Sequence, residues 1–354
     1  MIVRFVLMLI VILLPAFLAG FRDLSLGIDI KVYVIPTFDC VKESTGFLQA
    51  VKDVDDLKYI DSINVGLIII EYIVSALKGN IHGVLFGIAL VNGVCVFIAT
   101  YIKRDEVELW VIELVYLTML YNATYNAMRQ CMAICFGMVA FAYLLKNKIV
   151  LFSILTLIDM ILFHNTAILI FLVLPLYYFM KKNISKDKSS RKFSTKSKYG
   201  IVICGISLII LFFRPIVGLV DSIFQWNFSR YWEYYKSDFS IPRLTMYIIT
   251  MIPLFLYERK EKHKELLTSV AIIDLFTYLL SFSIFYFYRV SLYYMMLCKS
   301  FGYGEILYEL KNHKTNKRLK INIKTIMILA ICILYWFYTY VYANMHETIP
   351  YKMK

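Results

Sequence analysis

Apolar runs recur from Ile2 to Tyr342, separated by short polar gaps, and several are longer than any ordinary strand. This pattern leaves the chain few folds to adopt. In hydrocarbon every backbone N–H and C=O must be satisfied within the protein, so only helices and closed barrels span a bilayer. The runs lack the period-two alternation of an outer-membrane strand, so helices are expected. Composition agrees, with 60% hydrophobic and 16% aromatic residues in 354 and a mean hydropathy of +0.68. The expected fold class is all-α: a polytopic transmembrane bundle of about 11–13 helices. It forms a single integral-membrane domain over residues 1–354, with no soluble part larger than a loop.

Charge sets the expected topology. The net charge of +13 comes largely from Lys clusters between apolar runs. A nucleic-acid interface would need a basic face on a soluble module, and none is present. The clusters at 181–198, 258–265 and 311–320 read as cytoplasmic loops under the positive-inside rule. Residues of about 21–62 and 221–243 then face outward. The first of these carries Asp39, Glu43, Asp53, Asp55, Asp56 and Asp61. Ile2–Gly20 reads as a first membrane helix rather than a cleaved signal, since Phe17 and Leu18 spoil a small-residue cleavage pattern. Crossing parity between the N-terminus and 181–198 requires that one run within 63–121 is not a full span. Ile63–Leu77, at 15 residues, is the shortest and is expected to be partial or re-entrant.

Seven cysteines are present, six of them in or at the edges of apolar runs, without His or further Cys at metal-ligand spacing. They read as small packing residues. No Walker loop, HExxH, GxSxG or zinc motif occurs, so neither a metal nor a cofactor is expected.

The unusual polar residues gather on the outer side of this topology. Tyr121–Leu145 opens with Asn126, Arg129 and Gln130, whose spacing puts them on one face of a helix. Arg22, Asp23 and Asp29 follow the first helix. His164 stands between two apolar runs and Arg289 between Phe287 and Tyr293. The loop at 221–243 adds Arg230, Tyr231, Tyr234, Tyr235 and Arg243. Several Arg around one cavity suit an anion, because a guanidinium pairs bidentately with phosphate. A lone Arg would equally be a snorkelling anchor, the aromatics an interfacial belt, and His164 a satisfied interhelical histidine. Glu71, Glu113, Asp159 and Asp274 lie within apolar runs, as a proton relay or as acids paired inside the bundle.

Five stretches taken together resemble a known family: RDLSLGIDIKVY after the first helix, NAMRQCMA, FHNTA, YRVSLYY and a closing IPYK. The chain resembles the EpsG-like polysaccharide polymerases, Wzy-type proteins of capsule, exopolysaccharide and O-antigen assembly. It departs from their pattern at Ile28, where Thr is usual before the Asp, and at Asn64, where a Glu often precedes Gly66 by two residues. If that Glu is catalytic in relatives, its role here is open and Glu43 or Glu71 would have to be considered for it.

The resemblance implies a GT-C-like bundle in the bacterial cytoplasmic membrane, with its site on the extracytoplasmic side. The substrate is an undecaprenyl-pyrophosphate-linked oligosaccharide repeat unit, and the growing glycan passes from one lipid carrier onto the next unit. The donor's own pyrophosphate leaves, so neither metal nor nucleotide is needed. Arg129 and Arg289 would clamp pyrophosphate, with Arg22 as a third candidate. Asp29 and His164 are the candidate bases, and Asp23, Asn126, Gln130, Arg230 and Tyr231 candidate substrate contacts. The bilayer and the pathway's flippase and chain-length regulator are the implied partners, with no nucleic acid. The alternatives are a lipid-linked oligosaccharide flippase or other transporter, and an O-antigen ligase-like transferase.

Overall fold

The computed structural model describes residues 2–57, 64–181, 199–205, 215, 218–219, 222, 239–256, 263–284, 286–312 and 323–353. Among them the all-α class holds: the elements are helices, and the one β-bridge joins Arg22 to Met353. By length and composition, Ile81–Ile102, Met128–Leu145 and Ile323–Tyr342 can cross a membrane. Shorter apolar helices cover Leu9–Phe21, Val65–Ala76, Ile149–Leu162, Asn165–Met180 and Ile241–Leu256. Several long apolar helices mark a multi-pass membrane protein. Contacts divide the chain into two compact units, residues 1–168 with 307–354, and residues 169–306.

In the first unit α1 (Ile2–Phe21) leads into a segment that is itself folded, although its composition reads as a polar loop. A π-helical turn (Ile30–Val34) runs into α2 (Ile35–Glu43), and α3 (Phe47–Asp55) follows. Val41, Ala50 and Val54 close a small core with Ile68, and Phe47 packs edge-on against Tyr72. The turn between α2 and α3 is held by Asp53, which accepts from Ser44 Oγ and Gln49 Nε2, both at 2.6 Å. These two bonds, Ser44's first, hold the Asp53 carboxyl below its ordinary value of 3.8. A carboxyl depressed in the folded state stabilises the turn above its unfolded value, and this is lost as pH falls through the folded one. Amide exchange across 47–55, corrected for intrinsic rate, is therefore expected to quicken between about pH 5 and about pH 3, with the quickening absent in Asp53→Asn.

Next come α4 (Val65–Ala76) and α5 (Ile81–Ile102). With 12 residues, α4 rises about 18 Å, short of the ~30 Å hydrocarbon core. It passes so close to the end of α8 (Ile149–Leu162) that a Cβ on Gly66 would lie 2.5 Å from the Leu162 carbonyl oxygen. α6 (Leu109–Val115) changes pitch twice, into a π-helix (Tyr116–Leu120) and then a 3-10 turn (Tyr121–Tyr125). After that break α7 (Met128–Leu145) forms the centre of the unit and is buried along nearly its whole length. Cys131, Ala133, Cys135, Gly137, Ala140 and Ala142 keep its surface narrow. Small residues let backbones approach where lipid offers no hydrophobic drive between helices. α5 and α8 (Ile149–Leu162) pack on it.

The second unit contains α9 (Val173–Lys181), α10 (Ile241–Leu256), α11 (Lys264–Leu280), α12 (Tyr286–Met295) and a π-turn (Met296–Ser300). α13 (Phe301–Asn312) leaves it, and α14 (Ile323–Trp336) belongs to the first unit, ending in a further π-turn (Phe337–Tyr342).

Candidate functional site

The site is built where the chain leaves α1 and where it enters α7. Gly27 has φ +113°, and a Cβ there would lie 2.3 Å from the Tyr125 carbonyl oxygen. Only glycine allows both this conformation and this approach. The approach lets the Ile28 N–H donate to Asn126 Oδ1 at 2.6 Å. It also brings Asp29 to the start of α7, where Asp29 Oδ2 accepts the Met128 N–H at 3.0 Å and the Tyr33 hydroxyl at 2.5 Å. Asp29 thus satisfies one of the donors that every helix N-terminus leaves open.

Two guanidinium groups flank this junction. Arg129, in the first turn of α7, lies 4.6 Å from the centre of the Tyr33 ring. Arg22 is 2% exposed, stacked 4.0 Å from the Tyr125 ring centre and with Nη2 3.9 Å from Met128 Sδ. Its Nε has no hydrogen-bond partner. Its electrostatic neighbours are the hydroxyls of Tyr121, Tyr125 and Tyr351, and among the described residues no carboxylate pairs with it. A buried guanidinium flanked by rings and hydroxyls, beside the positive end of an 18-residue helix, is an arrangement that favours an anion.

The C-terminal segment straps this junction. Asn126 Nδ2 donates to the His346 carbonyl oxygen, Asn122 Nδ2 to Thr348 Oγ1 at 2.8 Å, and Tyr351 OH to the Leu18 carbonyl oxygen. The Asp23 N–H donates to the Lys352 carbonyl oxygen at 2.9 Å, and Met353 bridges to Arg22. Asn344, His346 and Glu347 take left-handed backbone angles, φ 46°, 72° and 52°.

The profile of the EpsG family matches residues 5–353. The chain belongs to the EpsG family. That family is associated with exopolysaccharide biosynthesis. No curated protein and no solved structure matches the chain.

Within this EpsG-family chain the structure brings Arg22, Asp29, Asn126 and Arg129 to one junction. It corrects how Asn126 arrives there. Helical spacing puts Asn126, Arg129 and Gln130 on one face, but α7 begins at Met128 and Asn126 closes the preceding 3-10 turn at φ −123°, ψ 0°. Asn126 therefore ties three segments together, while Gln130 is buried at 3% exposure. Asp23 turns to its own loop, where bonds from the Ser25 hydroxyl and N–H hold its carboxyl below the ordinary range. His164 stands in the turn after α8, its Nδ1 2.7 Å from Thr166 Oγ1. Its neighbour Phe163 packs on Phe136 of α7, seven residues or about 10 Å along that helix from Arg129. Asn64 serves as a clamp, its Nδ2 donating to the Met160 and Ile161 carbonyls and to Asn165 Oδ1. Arg289 lies half-buried on α12 of the second unit. Arg230, Tyr231, Tyr234 and Tyr235 lie outside the described residues, as do 182–198 of the basic loop.

The acids in apolar segments of the EpsG-family chain divide by partner. Glu71 Oε1 accepts from Thr37 Oγ1 at 2.6 Å. Asp274 accepts from Tyr247 and faces Lys299 Nζ at 3.3 Å, both fully buried. For neither is there a signal in sequence spacing, because each partner sits on another helix.

Proposed function

We propose that this chain is a Wzy-type glycosyltransferase that moves a growing glycan from undecaprenyl pyrophosphate onto a lipid-linked oligosaccharide repeat unit. Its site faces the extracytoplasmic side of the bacterial cytoplasmic membrane. The observation that supports this most is the buried Arg22 guanidinium without a carboxylate partner, against Met128 in the first turn of α7, the turn that also carries Arg129. A pyrophosphate is the anion that family membership and this chemistry share.

In the proposed reaction the bond between the donor sugar's anomeric carbon and the pyrophosphate oxygen breaks. The acceptor sugar's hydroxyl oxygen forms a bond to that carbon and gives up its proton. Charge develops on the departing pyrophosphate, where Arg22, Arg129 and the helix end act electrostatically. Placing fixed donors there before the reaction lowers the barrier without reorganisation during it. Asp29 is our choice for the base, since it stands at the same junction and Tyr33 orients its carboxylate. His164 is the second candidate.

The test is polymer length in cells carrying Arg129→Ala, with membrane abundance of the variant measured alongside. Loss of long polymer while single repeat units still reach the surface is the expected result, with a fall in polymer of about 100-fold or more. Accumulation of lipid-linked units facing the cytoplasm would instead identify a flippase. Normal polymer from a normally abundant variant would return Arg129 to the role of a membrane anchor.

A further inference from the structure

Behind the arginine junction the first unit buries an acid that the proposed transfer does not use. Glu71, near the middle of α4, is fully buried. Its Oε2 has no hydrogen-bond partner, and among the described residues no cation pairs with it. Its Oε1 holds the Thr37 hydroxyl at 2.6 Å. An acid placed this way stabilises a membrane bundle less than an apolar side chain of similar size would. Ionisable groups inside apolar segments point to function by default.

Thr37 links this acid to the junction. It is fully buried on α2, and its Oγ1 also lies 2.8 Å from the Tyr33 carbonyl oxygen and 3.2 Å from that of Val34. Both carbonyls belong to the π-turn that opens α2. The regular helical ladder is interrupted there, because Pro36 has no N–H for the carbonyl four residues back. Thr37 and Glu71 pin the turn to α4 at that point. Tyr33 then meets the junction twice. Its hydroxyl donates to Asp29 Oδ2 at 2.5 Å, the oxygen that also accepts the Met128 N–H. Its ring centre lies 4.6 Å from the Arg129 guanidinium. A shift of the turn therefore disturbs Asp29 and Arg129 together.

We propose that Glu71 is a positioning residue: its bond to Thr37 holds the turn that aims the Tyr33 hydroxyl at Asp29 and lays the Tyr33 ring against Arg129. This rests on the reading of Asp29 as the base and Arg129 as a pyrophosphate contact. Glu71 itself touches neither the substrate nor the reacting atoms. Its effect passes through Tyr33, and that route is what the test follows.

The test is a double-mutant cycle on polymer amount and length in cells, each value divided by membrane abundance of the full-length variant. Glu71→Leu fills the space and leaves Thr37 its bond to the Tyr33 carbonyl, so abundance is expected to hold while polymer falls by about 10–100-fold. Glu71→Gln keeps an oxygen for the Thr37 hydroxyl and drops the charge, and is expected to restore most of that loss. Tyr33→Phe keeps the ring and removes the hydroxyl, and is expected to lose polymer as well. Because both changes act on one route, the double variant should fall no further than Glu71→Leu alone, whereas a separate structural role would multiply the two losses. Three results overturn the proposal: full polymer in Glu71→Leu or in Tyr33→Phe, a Glu71→Gln variant as poor as Glu71→Leu, or losses that multiply in the double. Asp29→Asn and Arg129→Ala, run alongside, separate the two readings. Full polymer in both removes the transfer site and the positioning with it, while full polymer in Glu71→Leu beside two inactive variants removes the positioning alone. Should Glu71→Leu not be recovered from membranes, Thr37→Val takes its place in the cycle, with the same expectations and the same overturning results.

Discussion

Cells carrying Gly27→Ala are expected to hold little of the folded protein. The added Cβ would meet the Tyr125 carbonyl oxygen at 2.3 Å, a backbone atom that cannot step aside as a flexible side chain does. The φ of +113° is strained for any L side chain. Strained backbone and overpacking together cost about 2–6 kcal/mol, a large part of a typical stability. The loss would fall on the turn that aims the Ile28 N–H at Asn126 and Asp29 at α7. Membrane abundance and the Tm in detergent check it, with Gly46→Ala as the control. Gly46 is extended at φ −175°, and a Cβ there meets nothing within 4 Å, so that change is expected to cost no more than about 1 kcal/mol. Equal abundance of both variants would show that the turn yields without loss.

Arg22→Ala is expected to separate stability from activity. A buried charge without a carboxylate partner stabilises the fold little, so its removal should leave membrane abundance near the wild-type level. If the group serves pyrophosphate, polymer should fall by about 100-fold or more. Arg22→Lys keeps the charge but loses the planar fork and its stacking on Tyr125, so only part of the activity should return. Polymer of normal length in Arg22→Ala, at normal abundance, would remove Arg22 from the site.

What the sequence makes legible follows from what each signal measures. Apolar run length reports burial in lipid, and it marks 81–102 and the start of α7 closely. Helical spacing assumes constant pitch, and the π and 3-10 turns between Tyr116 and Tyr125 break it. Such turns arise from tertiary contacts, among them the Tyr121 hydroxyl donating to the Pro15 carbonyl. That is why Asn126 reaches the site by a route that spacing does not give. Polarity between residues 21 and 57 reads as loop because α2 and α3 bury only a few positions each. The strap had a sequence signal in the closing IPYK, but its role rests on a bond between residues 220 positions apart. No local pattern encodes a contact of that kind. The acids were visible as anomalies, and only the structure distributes them between paired and unpaired groups.

The strap over Arg22 carries a kinetic consequence. If a lipid-linked pyrophosphate is the ligand, the ties to Leu18, Asp23, Asn122 and Asn126 must open before its headgroup touches the guanidinium. Within the strap His346 and Glu347 hold left-handed angles that cost about 1–2 kcal/mol each, a region Asn344 tolerates more readily. Opening would then be a unimolecular event that the ligand does not hasten by being abundant. Turnover governed by such a latch would reach a ceiling that no surplus of lipid-linked donor lifts, and loosening the Thr348 tie would raise the ceiling rather than the apparent affinity.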